Sequence, residues 1–278
     1  MGTSASSAGP GGNVSFDPPW LNDIPVGGAG EVDAEAGSGG GDATASPQPA
    51  AEGVAPASRF KGARASLGAF ARSGDTQALG RAAGQYSRTG MGGARNVAAR
   101  MRTSTKAGAG LGSFLQAARE RSDPRINEWM DTLRATSPSA QTVIDAIVAQ
   151  IIPEGGSVDE ESAKDSMAQA LSELTVLDPD VDLLALQDPQ IWTLMQLYLG
   201  HEACNRMYAD IGQLFESARF SPSTIVQRTN EMRSFLKNSV AAQLETIRDA
   251  TPNPTRQQLE TVLREAVQTT FMVFEDSI

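Results

Sequence analysis

The spacing of apolar residues in the second half of this 278-residue chain constrains its fold more than any other feature. Between Ala140 and Ile152 the valines and isoleucines recur at steps of three and four residues, and Pro153 then ends the pattern. Stripes with the same period begin near Asp159, Pro189, Ser221 and Thr255. No segment alternates apolar and polar residues between hairpin turns. The sequence therefore predicts an all-α fold, with a helical bundle of five or six helices over roughly 115–275.

The N-terminal segment 1–58 has the opposite character. It contains 12 Gly, 7 Pro, seven acidic residues and no Lys or Arg, with very few large apolar side chains. Burial of so little apolar surface cannot offset an ordering entropy of about 1–2 kcal/mol per residue. The sequence predicts that residues 1–58 form a disordered, acidic tail.

One short motif stands out within this tail. Its core is Pro18, Pro19, Trp20 and Leu21. Two prolines stiffen an extended backbone and a tryptophan supplies a large apolar anchor, so a linear motif of this kind loses little entropy on docking. We expect these four residues to dock on a partner. A fortuitous apolar patch in a tail explains them equally well.

Residues 59–110 form a third kind of segment, rich in Ala, Arg and Gly. Three glycine-containing breaks, at 73–75, 90–93 and 108–110, divide it into short pieces of helical composition. Asp75 is suited to cap the second piece. The sequence predicts short basic helices here, followed by an α-helical domain at 111–278.

The basic residues of this segment are its candidate contact residues. Residues 59–106 hold ten basic side chains and the single acid Asp75. Four of the arginines recur every seven residues, which would align them on one face of an unbroken helix, although the glycines at 90–93 argue against such continuity. The predicted contact residues are Arg59, Lys61, Arg64, Arg72, Arg81, Arg88, Arg95 and Arg102.

Net charge bears on what these residues contact. The whole chain carries a formal charge of −10 and has a pI near 4.7, which disfavours general affinity for nucleic acid or anionic membranes. We therefore favour protein contact for the basic segment, either with the acidic helical body of this chain or with the acidic surface of a partner. Nucleic-acid binding stays the alternative.

Recognisable catalytic and metal-binding motifs are missing from the sequence. His201 and Cys204 are the only residues of their kinds, which excludes a zinc site of several such ligands and a nucleophile–histidine arrangement. The glycines at 90–93 lack the Lys-Ser/Thr of a phosphate loop, and the acids Asp178, Asp180 and Asp182 lack the glycine and final glutamate of a calcium loop. We expect no enzymatic activity, no metal and no cofactor.

Cysteine content and hydropathy indicate a location. A single cysteine fits a reducing compartment, and no run reaches the roughly 18 apolar residues of a membrane-spanning helix. The N-terminus lacks the basic and hydrophobic regions of a signal peptide. We expect a cytoplasmic protein that does not enter a membrane.

The extreme N-terminus carries a candidate modification site. The first six residues fit the short myristoylation pattern, which is common by chance. Gly2 directly after the initiator methionine favours removal of that methionine, which leaves an unhindered α-amine. Such amines have an ordinary pKa of about 7.7–8.0, so much of the group is a usable nucleophile at neutral pH.

Two blocks of the sequence carry short motifs that can be compared with known families. The first block is the N-terminus, with Gly9-Pro10-Gly11-Gly12 after residues 1–6 and then Pro18-Pro19-Trp20. The second is the arginine- and glycine-rich block, with Arg59-Phe60-Lys61-Gly62-Ala63-Arg64, Ser73-Gly74-Asp75, Leu79-Gly80-Arg81 and Tyr86 through Gly93. Together the two blocks resemble the QatB family of the bacterial Qat anti-phage system. The resemblance covers mainly residues 1–106, and the helical body matches only in general character.

The resemblance implies a role in phage defence beside an ATPase (QatA), a QueC-like enzyme (QatC) and a TatD-like nuclease (QatD). QueC enzymes activate a 7-carboxy-7-deazaguanine with ATP and deliver an amine to it. The bare amine of Gly2, followed by the small residues Thr3 and Ser4, suits entry into such an active site and acylation there. We hypothesise that QatC is the main partner, with the tail as its docking strand or as a substrate that forms an amide with the deazaguanine.

Overall fold

Helices follow one another without an intervening strand through the residues that the computed structural model describes, which are 58–153, 156–216, 220–248 and 254–278. The all-α prediction is confirmed. The ten α-helices of these described residues belong to one unit, Phe60–Ile278. They are α1 (Lys61–Ser73), α2 (Thr76–Gln85), α3 (Ala94–Arg100), α4 (Arg102–Glu120), α5 (Pro124–Ala135), α6 (Ala140–Ile151), α7 (Val158–Leu177), α8 (Asp188–Ile211), α9 (Pro222–Arg248) and α10 (Arg256–Asp276).

The short helices predicted for the basic segment are present, and caps and glycines set their ends. α1 ends where Gly74 takes up a left-handed conformation with φ 74°. Asp75 caps α2 as predicted, because its carboxylate accepts a hydrogen bond from the amide of Gln77 at 2.9 Å. α2 continues into a π-helical turn, Tyr86–Met91, which stops at two glycines with positive φ.

The predicted break at 108–110 is wrong, because α4 runs through it. The glycines of α4 serve close packing instead. A Cβ atom on Gly108 would lie 2.7 Å from Cε1 of Tyr198, and one on Gly112 would lie 2.5 Å from Cδ2 of Leu259. Bulky side chains of α8 and α10 therefore occupy the space that Cβ atoms would fill. The boundary predicted near residue 110 falls inside α4.

Helices α8 and α10 organise the core. α8 packs against α4, α7 and α9, and α10 packs against α2, α3, α4 and α9. Tyr86 marks the junction with the N-terminal helices, since its ring lies 5.5 Å from that of Phe60 and 5.9 Å from that of Phe271. Its hydroxyl donates a hydrogen bond to Asp210 on α8 at 2.8 Å. The basic helices thus share their core with the C-terminal helices.

Sequence signals also set the ends of the later helices. α6 stops before Pro153 as predicted, and Ser157 and Glu160 form a reciprocal capping box at the start of α7. The helical stripe that begins near Pro189 divides into α8 and a 3₁₀ turn, Gly212–Glu216. The predicted stripes did not include α5, which buries Met130 alone. Judged by length and hydropathy, none of the described helices is able to span a bilayer.

The contact between α2 and α10 leaves no room for a side chain at Gly84. A Cβ atom there would lie 2.4 Å from the carbonyl oxygen of Phe274, which is a backbone atom and cannot rotate away. We expect Gly84→Ala to lower the free energy of unfolding by about 1–3 kcal/mol, because the two helices must separate. Urea denaturation measures this change.

Gly80→Ala is the matched control in the same helix. A Cβ atom at Gly80 would meet only Cζ of Phe235 at 3.8 Å, which is ordinary van der Waals contact. Alanine is the better helix former by about 1 kcal/mol, so this variant should be at least as stable as the wild type. Equal stability of the two variants would contradict the close approach at Gly84.

Candidate partner-binding surface

The predicted contact residues fall into two groups, according to whether the structure describes them. The tail residues Gly2, Thr3, Ser4, Pro18, Pro19, Trp20 and Leu21 lie outside the described residues. Arg59 is half-buried in the turn at 58–60. The other seven are exposed, with Lys61, Arg64 and Arg72 on α1, Arg81 on α2, Arg88 in the π-helical turn, Arg95 on α3 and Arg102 at the start of α4. The four heptad-spaced arginines therefore lie on four elements and form no single helical stripe.

Two of these arginines bind the helical body itself. Arg64 donates a hydrogen bond to the backbone carbonyl of Asp210 at 3.1 Å, and Arg88 donates one to the carbonyl of Glu275 at 2.7 Å. Both carbonyls lie in the last turn of their helices, α8 and α10, where backbone oxygens lack partners within the helix. These arginines therefore join the N-terminal helices to the body.

Four further basic residues have exposed charges. They are Lys61, Arg72, Arg95 and Arg102, and none of their side chains has a hydrogen bond or ion pair with another described residue. We call these four the open basic residues. Lys106, which the sequence interpretation did not include, is also exposed and lies one turn beyond Arg102 on the same face of α4. Exposed cations on packed helices, without counter-ions, are available to an acidic ligand.

A buried polar network lies between the basic segment and the body. Glu202 on α8 is fully buried, and its carboxylate accepts hydrogen bonds at 2.7 Å from each of Ser104, Ser166 and Arg206. Ser162 adds a fourth at 3.1 Å. The carboxylate is therefore surrounded by hydrogen-bond donors, as a polar group removed from water must be.

The network continues to α3 through a second carboxylate. Asp159, at the start of α7, accepts hydrogen bonds from Arg206 and, at 2.6 Å, from Arg100. Tyr198 adds a bond from its hydroxyl to the backbone carbonyl of Ser104 at 2.8 Å. These contacts tie α3 and α4 to α7 and α8, so the network fixes the helices that carry Arg95 and Arg102.

This network was not identified from the sequence, because no role was assigned to Glu202. A signal was present. Glu202 follows Tyr198 by four residues and Leu199 by three, which places it within the apolar stripe of α8, and Arg206 comes four residues later. Opposite charges at this spacing within an apolar stripe indicate a buried ion pair.

His201 and Cys204 lie next to the network and are both buried. Burial lowers the pKa of His201, against the opposing hydrogen bond of 2.8 Å to Glu173, so the imidazole is neutral at pH 7. Burial raises the pKa of the Cys204 thiol to about 11, which keeps it protonated and unreactive. In the described part of the chain, no group of three or more His, Cys, Asp and Glu residues is arranged to hold a metal ion.

Asp159 makes the network sensitive to acid. Burial alone would raise the pKa of Asp159, but the hydrogen bonds and charges of Arg206 and Arg100 outweigh it and hold this pKa below its ordinary value. Such a group stabilises the fold above the ordinary pKa of about 3.9, and its contribution is lost as pH falls through the lower folded value. We expect Asp159→Asn to lower the free energy of unfolding at pH 7 and to flatten its decline below about pH 5, measured by urea denaturation across pH.

Asp180→Asn serves as the control for this measurement. Asp180 is exposed in the connection between α7 and α8 and has no partner among the described residues. Its replacement should change the free energy of unfolding by less than about 0.5 kcal/mol. A decline in acid as steep for Asp159→Asn as for the wild type would contradict the role assigned to Asp159.

Comparison with known proteins identifies the family. A family model described as QatB, Qat anti-phage system associated protein, matches residues 92–274, which is well over half of the chain. No curated protein and no solved structure matches the chain. The matched range holds α3 to α9 and most of α10, and with them the whole network around Glu202. This match, which lies mainly in the helical body, confirms the family that the sequence resemblance indicated, and the chain belongs to the QatB family of the Qat anti-phage system.

Proposed function

We propose that this chain is a non-enzymatic subunit of Qat phage defence that binds a QueC-like enzyme, QatC, in the cytoplasm and presents its N-terminal tail to it. Membership of the QatB family supports the setting. The observation that carries the proposal is the N-terminal sequence, in which Gly2, Thr3 and Ser4 precede the apolar anchor Trp20 within a segment rich in Gly and Pro. QatA and QatD are further candidate partners.

The tail serves this enzyme as a docking strand or as a substrate. In the substrate case the α-amine of Gly2 attacks the activated carboxyl carbon of the deazaguanine. An amide bond forms, the activating group leaves and the amine loses a proton. The small residues after Gly2 support this step, because they let the amine reach into an enclosed active site without steric hindrance.

The proposal assigns different tasks to different parts of the chain. Residues 1–58 are the working tail, 59–110 are a basic contact segment and 111–278 are the helical domain that supports it. The open basic residues support the second assignment, because cations without counter-ions favour an acidic partner surface. The buried network of Glu202 supports the third, because it holds the contact segment on a rigid base.

Co-expression with QatC tests whether Gly2 is a substrate. We expect the intact mass of the wild-type chain to show loss of Met1 and gain of the deazaguanine amide, and the chain expressed alone to show loss of Met1 only. Gly2→Gln is the matched control, because a large second residue disfavours removal of Met1 and leaves no glycine amine. If the mass of the co-expressed wild-type chain differs from the full sequence only by the loss of Met1, the substrate proposal is wrong.

The same co-expression separates docking from chemistry. Trp20→Ala should weaken capture of QatC by about 30-fold or more, since a buried tryptophan anchor contributes about 2 kcal/mol or more to binding. Trp20→Phe should retain most of the binding because it keeps an aromatic anchor. Unchanged capture by Trp20→Ala would show that the anchor assignment is wrong, whatever the mass measurement gives.

The alternative function is a nucleic-acid-binding or sensing adaptor that uses the basic segment. The observation in its favour is that Arg95 and Arg102 are exposed and have no ion-pair partner among the described residues. Phosphates compete with carboxylates for such guanidinium groups. The net charge of −10 argues against this function for the molecule as a whole.

Salt dependence of DNA binding decides the alternative. Each arginine that contacts a phosphate contributes about 0.9 to the slope of log K against log salt concentration. If nucleic acid is the ligand, Arg95→Ala and Arg102→Ala should each lower the slope by about that amount, whereas Arg264→Ala, exposed on α10, should leave it unchanged. DNA binding that is absent or insensitive to salt would contradict the adaptor function.

A further inference from the structure

The helical body contains a cleft that none of the predicted contact residues lines. It lies between α4, α5, α6 and the first turn of α10, and its volume is about 400 Å³. Clefts that hold small ligands or single peptide side chains have volumes of about 300–1,000 Å³. We call it the lateral cleft. The lining residues that matter here are Ser113, Phe114, Ile126, Gln150, Ile151 and Arg256.

The floor of the lateral cleft is apolar and well supported. Phe114, Ile126 and Ile151 contribute to it, and the two isoleucines are only partly buried. The ring of Phe114 meets that of Trp129 edge to face at a centroid distance of 5.3 Å, which restricts its movement. Apolar side chains that remain partly open to solvent gain free energy when a ligand covers them.

The rim of the lateral cleft supplies polar groups without partners. The hydroxyl of Ser113, the amide of Gln150 and the guanidinium of Arg256 make no hydrogen bond or ion pair with other described residues. The guanidinium lies beside α4, because a Cβ atom on Gly110 would be 3.4 Å from its Nη2 atom. Three donors therefore line the cleft together with the apolar side chains.

The single carboxylate of the cleft does not cancel this positive charge. Asp123 accepts hydrogen bonds from the Nη2 atom of Arg125 at 3.1 Å and from its backbone amide at 2.9 Å. These bonds hold the pKa of Asp123 below its ordinary value, and Arg125 balances its charge. Among the described residues that line the cleft, none compensates the charge of Arg256.

We propose that the lateral cleft binds a peptide segment of a partner protein in which a carboxylate side chain stands next to a large apolar side chain. The carboxylate pairs with Arg256 and accepts hydrogen bonds from Ser113 and Gln150, and the apolar side chain covers Phe114, Ile126 and Ile151. One positive charge matches one carboxylate, whereas the net charge of the chain repels a polyanion such as nucleic acid. This proposal uses neither the tail nor the open basic residues and does not rest on the function proposed above.

A random heptapeptide library displayed on phage, selected against the full-length protein, tests the proposal. We expect enriched peptides to place Asp or Glu beside an aromatic or large aliphatic residue, and we expect Arg256→Gln to abolish that enrichment. Arg264→Gln is the matched control, because Arg264 is exposed on the same helix outside the cleft. Enrichment of peptides without acids, the same motif on Arg256→Gln, or no enrichment at all would each overturn the proposal.

Fluorescence polarisation with the enriched peptide then separates the two contacts. Arg256→Gln should weaken binding about tenfold, and replacement of the peptide's acid by its amide should weaken binding equally and have no further effect on that variant. Ile126→Ser should weaken binding of the peptide and of its amide form to the same extent, because this substitution removes only apolar contact. If the losses of binding free energy from the amide peptide and from Arg256→Gln simply add, the two groups are not in contact. That result would refute the assigned pairing.

Discussion

The buried carboxylate of Glu202 determines how the central helices are arranged. An ionised group removed from water costs several kcal/mol unless charge and hydrogen bonds replace its hydration. Here the replacements come from Arg206 on the same helix, from Ser104 on α4 and from Ser162 and Ser166 on α7. α4 and α7 can pack on α8 only in positions where their serines reach this carboxylate. Apolar contacts alone allow several packing positions, so the single polar group selects one of them.

Small residues explain how a weakly hydrophobic segment joins this core. α2 and α4 bring Gly84 and Gly108 against α10 and α8, where Phe274 and Tyr198 fill the space of the missing side chains. The pattern of apolar residues predicted the all-α fold and most helix ends, because caps, prolines and stripes act locally. It failed at 108–110, because whether a glycine breaks a helix or admits a neighbour depends on the bulk of that neighbour, which lies far away in sequence.

The same distinction between local and long-range effects explains which features of the candidate site the sequence predicted. Composition identified the basic segment, and most of its arginines are exposed as their type predicts. Arg64 and Arg88 nevertheless bind carbonyls at the ends of α8 and α10, more than 140 residues away, and this use depends on tertiary packing. Glu202 shows the opposite case, since its place in an apolar stripe and its partner Arg206 were visible in the sequence, and only its partners on α4 and α7 were not.

The stretch shared by the two lines of family resemblance is short and serves two purposes. The family model begins at residue 92, and the arginine- and glycine-rich block extends to 106. Within these residues Arg100 and Ser104 face inward to Asp159 and Glu202, while Arg95 and Arg102 face solvent. Because the two kinds of residue alternate along α3 and α4, the inward pair sets the position of the outward pair. Loss of the buried contacts would therefore move the exposed charges as well, so the position of these charges depends on the stability of the network.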